Sequence, residues 1–396
     1  MLPPEPKIFH GRESELSDIL HLFNTGIPKI AILGAGGMGK TSLAQAVLHH
    51  PGIITRFAQN RFFVACSSAT TKLELVNLIG THLGLKPGKD LTTEVLHYFA
   101  NNPPSLLILD ELEALWEPAI FRGNIEELLA LLTGVEDVAL MITMRGAERP
   151  AKVQWTRPFL RTLQPLDQQA ARLTFADIAD SGHNMEEVDQ ILSLTDNMPL
   201  AISLLAHLAD TEDCTKVLAR WDKERTSLIS EGFDKRSNLD LSISLSLSSP
   251  RIQLLPHSQE LLSLLSMLPD SLADVDLIQS KLPLEEILKC KTALKSTALA
   301  YSDENKRLMV LMPIREYLQK HRPPADGLVQ SLLKYFEQIL KLYMDYHGTL
   351  SNSSTVTRIK SNYMNIQNVL QWGLKQKQPI LSNSIYCVCH LSYFSQ

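Results

Sequence analysis

The sequence GAGGMGKT at residues 34–41 constrains the fold of this chain more than any other feature. It fits the pattern G-x-x-x-x-G-K-[ST], whose glycines let the backbone close around phosphate groups and point its N–H groups at them. The apolar run KIAILG (29–34) predicts a buried strand before the loop, and an amphipathic run predicts a helix after it. A phosphate-binding loop in this setting indicates an α/β domain.

Further apolar runs predict the other strands of the same sheet. They are RFFVAC (61–66), SLLILD (105–110), VALMITM (138–144) and a weaker fifth candidate, FLRTLQPL (159–166). Helical patterns separate them, which predicts a parallel sheet covered by helices on both faces. After Leu166 helical patterns predominate, apart from a small hairpin predicted around residue 304. The fold class is therefore α/β followed by mostly α.

Polar and charged residues at the end of the phosphate loop and at the predicted strand ends indicate that the site binds a magnesium nucleotide. Lys40 offers a positive charge to the β- and γ-phosphates, and Thr41 offers a hydroxyl to Mg²⁺. Asp110 ends a buried strand, where a carboxylate can hold Mg²⁺ through water. Glu111 is a candidate base for an attacking water, or else a solvated acid. Arg145 either contacts a γ-phosphate or is an exposed loop arginine.

Composition narrows the class of protein. The net charge of -5 counts against a dedicated nucleic-acid binder, which usually carries a basic face. The sequence has no apolar run as long as a membrane span and no signal-peptide pattern. Its five scattered cysteines suit reduced thiols, so we expect a cytoplasmic protein without a membrane partner. Cys387, Cys389 and His390 form either a metal site or one face of a helix, and the missing second ligand pair favours the helix.

Four further motifs accompany the phosphate loop in a fixed order. They are FHGRE (9–13), TMRG (143–146), LQPLD (163–167) and DNMPLAI (196–202). Together they resemble the NB-ARC branch of the STAND family of P-loop NTPases, and the later segments resemble its fungal members. The resemblance covers roughly the first three quarters of the chain, and the joint occurrence is far more specific than a phosphate loop alone.

The resemblance implies a domain order. It predicts a nucleotide-binding domain at 1–167, a helical domain at 168–235, a winged-helix domain at 236–325 and a TPR-like helical segment at 326–396. We expect that last segment to be part of a longer array, because arrays need several units for stability. The resemblance also implies a helix at residues 238–249, where strict alternation of apolar and polar residues by itself predicts a strand.

The resemblance also assigns the site. The phosphates would be held by Gly34, Gly36, Gly37, Gly39, Lys40, Thr41 and Ser42. Thr41 and Asp110 would hold Mg²⁺, Arg145 would contact the γ-phosphate, and Arg12 and Pro199 would border the adenosine. The chain departs from the family at two places. Asn197 replaces a glycine whose backbone angles asparagine tolerates, and residues 312–315 (MPIR) stand where many relatives have a histidine that contacts ADP.

The implied function is a signalling switch with ADP or ATP and Mg²⁺ as cofactors. It would be ADP-bound at rest, exchange to ATP when a ligand or protein binds the C-terminal helices, assemble into a homo-oligomer, and hydrolyse ATP slowly. Two other hypotheses stay open. One is a P-loop ATPase or kinase acting on a substrate, which Glu111 supports. The other is a DNA-binding regulator that uses the winged helix, against which the acidic charge counts.

Overall fold

The chain forms two compact units, Met1–Arg251 and Ile252–Gln396. A computed structural model describes residues 2–86, 88–179, 182–229, 238–303, 305–345 and 353–394. The predicted boundary at 235/236 lies outside these residues. The boundaries at 167/168 and 325/326 each fall inside one unit, so the four-domain division stays a prediction.

A parallel sheet lies at the centre of the first unit. Among the described residues its four strands have the spatial order β1–β4–β3–β2, with Ile32 opposite Thr143 and Leu109 opposite Ile142. Both faces are covered, which explains why the strands are apolar throughout. The strands are β1 (Lys29–Gly34), β2 (Arg61–Ala65), β3 (Ser105–Asp110) and β4 (Val138–Arg145).

Helices connect the strands and bury the sheet. Leu107 and Ile142 of the sheet belong to one apolar cluster with Phe99 and Leu128 of the helices, all essentially inaccessible to solvent. Burying each such side chain contributes about 1.5–3 kcal/mol. The helices are α1 (Glu13–Thr25), α2 (Lys40–His49), α3 (Pro51–Phe57), α4 (Lys72–His82), α5 (Thr92–Asn101), α6 (Glu113–Trp116) and α7 (Ala119–Gly134), with a 3₁₀ turn at Cys66–Ser68.

The predicted fifth strand at 159–166 is wrong in extent. Only Leu163 pairs with the sheet, as an isolated parallel bridge to Gly34 in which its N–H donates to the Leu33 carbonyl at 2.8 Å. Pro165, two residues after Leu163, has no N–H to donate, so the ladder cannot continue on that side of the bridge.

The rest of the first unit is helical, and its helices begin where side chains or proline favour it. Asp167 accepts from the Ala170 N–H at 2.8 Å before α8, and Pro199 occupies the first turn of α10. The helices are α8 (Gln168–Ala176), α9 (Met185–Thr195), α10 (Pro199–Thr211), α11 (Cys214–Glu224), α12 (Leu239–Leu247) and α13 (Pro250–Gln253), with a 3₁₀ turn at Arg225–Ile229.

Helix α12 confirms the expectation drawn from the resemblance rather than from the alternating pattern. Its buried residues are Leu239, Ser242, Ile243, Ser246 and Leu247. Their spacing is that of one helical face, so this face contains serines as well as apolar residues. Asn238 caps the helix by accepting from the Leu241 N–H at 2.8 Å. The alternation misleads because every second serine is buried.

The second unit is mostly helical and contains the predicted hairpin in a short form, where Tyr301 pairs with Met309. Asp276 is buried and ties three helices together through Tyr335, Arg358 and Asn362. The elements are α14 (His257–Ser266), α15 (Asp274–Gln279), α16 (Ile287–Ser296), β5 (Tyr301–Ser302), β6 (Leu308–Met309), α17 (Met312–His321), α18 (Asp326–Asp345), α19 (Ser353–Ser361), α20 (Tyr363–Gly373) and α21 (Ile380–Phe394).

The described residues contain no cluster of three or more His, Cys, Asp or Glu side chains placed to hold a metal ion. Cys387, Cys389 and His390 lie on α21. No helix in the described ranges is long and apolar enough to cross a bilayer.

Candidate functional site

The glycines of the phosphate loop are required by its backbone and by its neighbours. Gly37 and Gly39 have φ of 78° and 81°, in the left-handed region that favours glycine. A Cβ on Gly36 would lie 2.8 Å from Ser242 Oγ, and one on Gly37 would lie 2.9 Å from Leu200 Cβ. The loop is therefore closely approached by α12 and α10, and only glycine fits at these positions.

Lys40 begins α2 at the end of the loop. Its ammonium donates to the carbonyls of Gly34 at 3.0 Å and Ala35 at 2.6 Å. Burial lowers the pKa of Lys40 to about 8, although the nearby Glu113 raises it. The phosphate loop thus holds a buried cation on neutral carbonyl groups, an arrangement that an anionic ligand would stabilise.

Asp110 ends β3 beside the loop and is inaccessible to solvent. It accepts from the hydroxyls of Thr41 at 2.9 Å and Thr143 at 2.5 Å. Burial raises the pKa of Asp110, and these two hydrogen bonds lower it. Thr41 and Asp110 thus place a hydroxyl and a carboxylate together, the oxygen ligands that Mg²⁺ prefers.

Thr143 is a residue whose role the sequence prediction missed. Its hydroxyl donates to Asp110 and accepts from the Glu111 N–H at 2.9 Å. It therefore positions the candidate metal ligand and the candidate base together. The TMRG motif contained this signal, but the prediction took only the arginine from it. Glu111 has φ of 61°, an uncommon value for a residue other than glycine.

Arg145 ends β4 and is not an exposed loop arginine, because only 12% of its side chain is accessible. Its Nε lies 3.2 Å from the Glu113 carboxylate. Its Nη1 donates to the carbonyl of Ser242 at 2.7 Å and to the hydroxyl of Ser246 at 2.9 Å. The predicted γ-phosphate sensor is thus held by an acid and by α12.

A cavity of about 350 Å³ connects these groups. Pro199 and three residues that the prediction did not include, Ile8, Ile178 and Leu200, supply apolar walls. The other lining residues are Gly36, Gly37, Met38, Gly39, Lys40, Thr41, Ser42, Gln45, Glu111, Glu113, Thr143, Arg145, Thr174, Ser203 and Ser242. The lining therefore combines polar groups with apolar side chains, as the phosphates and the base of a nucleotide together require.

Three predicted residues of the described chain lie outside this lining: Arg12, Gly34 and Asp110. Arg12 is buried and donates to the carbonyls of Met38 at 3.2 Å and Gln164 at 2.5 Å. It fastens the phosphate loop to the segment before α8, so the structure gives it a supporting position. Gly34 accepts from Lys40, and Asp110 reaches the cavity through Thr41.

The structure describes both positions at which the chain departs from the family pattern. Asn197 has φ of 54°, which asparagine tolerates as the sequence analysis expects. Arg315 lies on α17 in the second unit, where it donates to the Ser266 carbonyl at 3.0 Å. Glu113, Ser203 and Ser242 had no assigned role in the sequence, because no motif marks them.

Comparisons with known proteins agree with this geometry. The sequence profile of the family described as Novel STAND NTPase 1 matches residues 3–228. No curated protein matches the chain significantly. The Walker-type ATPase of Pyrococcus abyssi is similar in structure, with 12% identity and a TM-score of 0.56 over 81% of this chain and 99% of that one. This likeness concerns the fold alone.

Two other solved structures align with TM-scores below 0.5. One is a STAND protein with a tetratricopeptide repeat sensor from Pyrococcus horikoshii, at 16% identity and a TM-score of 0.36. That alignment covers 99% of this chain and 54% of the other, so the chain spans about half the length of that protein. The second is Cdc6p from Pyrobaculum aerophilum, at 15% identity and a TM-score of 0.41, covering 85% of this chain and 97% of the other.

Proposed function

Because the chain belongs to the family described as Novel STAND NTPase 1, we propose that it is a nucleotide-dependent switch that binds ADP at rest and exchanges it for ATP on activation. The observation that carries the proposal is a hydrogen bond between helix α10 and the phosphate loop in the wall of the cavity. The Leu200 N–H of α10 donates to the Gly37 carbonyl at 3.1 Å, so the helical part of the unit is bonded directly to the phosphate loop. A change in the bound phosphates therefore acts on both.

The residues of the site fit a magnesium nucleotide. The loop glycines have no Cβ to screen their N–H groups from a phosphate, Lys40 is a buried cation, and Thr41 with Asp110 offers oxygen ligands. A bound magnesium nucleotide would supply negative charge for Lys40 and, as ATP, a bond whose hydrolysis resets the switch. Ser42 and Pro199 both line the cavity, and we assign Ser42 to the phosphates and Pro199 to the base.

Glu111 is the proposed base for slow hydrolysis. Glu111 is one of the residues that line the cavity, and its backbone N–H donates to the Thr143 hydroxyl. Its task is to orient a water molecule and accept its proton. Arg145 is the proposed contact for a γ-phosphate, for which its position at the end of β4 is suited.

The architecture is part of the proposal. We assign the nucleotide-binding domain to 1–167, the helical domain to 168–235, the winged helix to 236–325 and the TPR-like segment to 326–396, as in the NB-ARC branch. The pairing of α18 with α20 and α21 supports the last assignment. An activating ligand or protein would bind those C-terminal helices, and ATP-loaded chains would assemble into a homo-oligomer in the cytoplasm.

The test is to denature the purified chain and identify the nucleotide released by chromatography. We expect close to one ADP per chain, and none from Lys40→Ala, which removes the buried cation. Lys89→Ala is the matched control, because Lys89 is exposed in the same unit and should leave the ADP content unchanged. A nucleotide-free chain that hydrolyses added ATP rapidly would overturn the switch and favour an ATPase.

A further inference from the structure

The serine-containing face of α12 lies against the phosphate loop and Arg145. Ser242 and Ser246 are both nine-tenths or more buried, one turn apart on that face. Ser242 Oγ occupies the position against which a Cβ on Gly36 would collide at 2.8 Å. The Ser246 hydroxyl donates to the Ser242 carbonyl at 3.2 Å, inside its own helix. Both serines thus face the catalytic edge of the sheet rather than solvent.

Two of the three guanidinium nitrogens of Arg145 are directed at α12 and at Glu113. Nη1 donates both to the Ser242 carbonyl and to the Ser246 hydroxyl, and Nε is paired with Glu113. A guanidinium nitrogen of this type has two N–H bonds, so α12 engages both donors of Nη1. Arg145 cannot use Nη1 for a phosphate oxygen while α12 remains in this position.

A second attachment holds the segment that follows α12. The guanidinium of Arg251 lies 4.9 Å from the centre of the Trp116 ring and pairs with the Glu148 carboxylate at 2.5 Å. Cation–π contacts and ion pairs of this kind stabilise a docked segment independently of Arg145. The helix is therefore fixed to the nucleotide-binding part at two separate points.

We propose that Ser242 and Ser246 determine which nucleotide the site accepts, by holding Nη1 of Arg145 away from a third phosphate. The docked helix leaves Lys40, Thr41 and Asp110 available to a nucleoside diphosphate. A triphosphate gains the two donors of Nη1 only if α12 releases them, so its affinity is reduced by the cost of that release. This inference rests on the proposed switch and identifies the contact that sets its preference for the diphosphate.

The test compares the dissociation constants of ADP and of a non-hydrolysable ATP analogue, both with Mg²⁺, for the full chain freed of nucleotide. Ser246→Ala removes one acceptor of Arg145 and should tighten the analogue about tenfold, as expected for one charge-assisted hydrogen bond. Ser246→Asp adds a carboxylate for Arg145 and should weaken the analogue by a similar factor. Neither variant should change the ADP constant more than about twofold, because the diphosphate does not use Arg145.

Ser248→Ala is the matched control on the same segment. Ser248 is exposed and its hydroxyl donates to the Ser244 carbonyl, so neither constant should change. If both Ser246 variants bind the two nucleotides with the wild-type ratio, the inference fails while the switch stands. If wild-type protein binds neither nucleotide, or binds the analogue as tightly as ADP, the proposed preference fails as well.

Discussion

Two buried carboxylates, one in each unit, have opposite relations to their surroundings. Asp276 accepts from Arg358 at 3.3 Å, from Asn362 at 3.2 Å and from the Tyr335 hydroxyl, and a second arginine lies 3.9 Å away. Asp110, in the first unit, accepts from the hydroxyls of two threonines. The fold supplies Asp276 with cations, whereas the hydrogen bonds that Asp110 accepts come from neutral groups.

We infer from this difference that Asp276 has a structural role and that Asp110 has a role in binding a ligand. Removing a buried carboxylate from water costs several kcal/mol unless a cation compensates it. For Asp276 the compensation comes from two arginines of the same unit, so no ligand is needed to balance its charge. The pKa of Asp110 is raised by burial, which is the behaviour of a carboxylate whose compensating cation would come from solution. Burial alone would not distinguish the two residues.

The largest effect is expected from Asp276→Ala. The substitution leaves Arg358 and Asn362 without their buried acceptor, and the second unit should lose about 3 kcal/mol of unfolding free energy. Hydrogen–deuterium exchange read by mass spectrometry would locate the loss in α15, α18 and α20. The first unit serves as an internal reference, because its amides should keep their protection.

Asp274→Ala is the control for that experiment. Asp274 lies two residues earlier, with half of its side chain exposed, and its partner is Lys291. Its removal should change exchange very little, since exposed ion pairs contribute little to stability. If both substitutions reduced protection equally, the buried contacts of Asp276 would stabilise the second unit no more than an exposed ion pair does. The structural role of Asp276 would then be wrong.

The second expected effect concerns Asp110→Asn. The amide keeps the shape but carries no charge, so Mg²⁺ should no longer strengthen nucleotide binding, a loss of about 10–100-fold in affinity. Because the folded-state pKa of Asp110 is raised, its charged form destabilises the fold as the pH rises through that pKa. Above it, the variant should be at least as stable as the wild type.

The measurement is a nucleotide titration with and without Mg²⁺, beside a thermal melt of the same variant. Asp90→Asn is a suitable control, because Asp90 is exposed and bonds only to its neighbour Thr92 in the described contacts. A large loss of stability in Asp110→Asn with unchanged magnesium dependence would assign Asp110 the structural role instead.

The sequence predicts the two carboxylates with very different success. Asp110 can be recognised from its immediate sequence, because it ends an apolar run and the sequence predicts that this run joins the sheet whose first strand leads into the phosphate loop. Asp276 has no such mark, since its partners are 59 to 86 residues away in the chain. A motif depends on residues that are close in the sequence, so it does not predict which distant helix will pack against a given residue.

The same reason explains the other successes and failures. The strands and the phosphate loop could be predicted because each is encoded in a short run of residues. The contacts of Arg145 with Ser242 could not, because those residues are 97 positions apart. The prediction of a longer fifth strand overlooked a local signal, because Pro165, which stops the pairing after Leu163, is visible in the sequence.

The smallest expected effect extends the comparison to cations. Lys40 donates to neutral carbonyls, whereas Arg358 in the other unit reaches a carboxylate. The pKa of Lys40 is lowered to about 8 chiefly by burial, and only the protonated form attracts phosphate. Nucleotide affinity should therefore be constant at lower pH and fall by up to about tenfold for each pH unit above 8.

Lys40→Arg, which stays protonated, should bind with an affinity that does not change over this range. Titrations from pH 6.5 to 9.5, a range of about 1.5 units on either side of 8, would measure both profiles. A flat wild-type profile would mean that Lys40 keeps its charge without a ligand and that its surroundings compensate it as fully as those of Arg358.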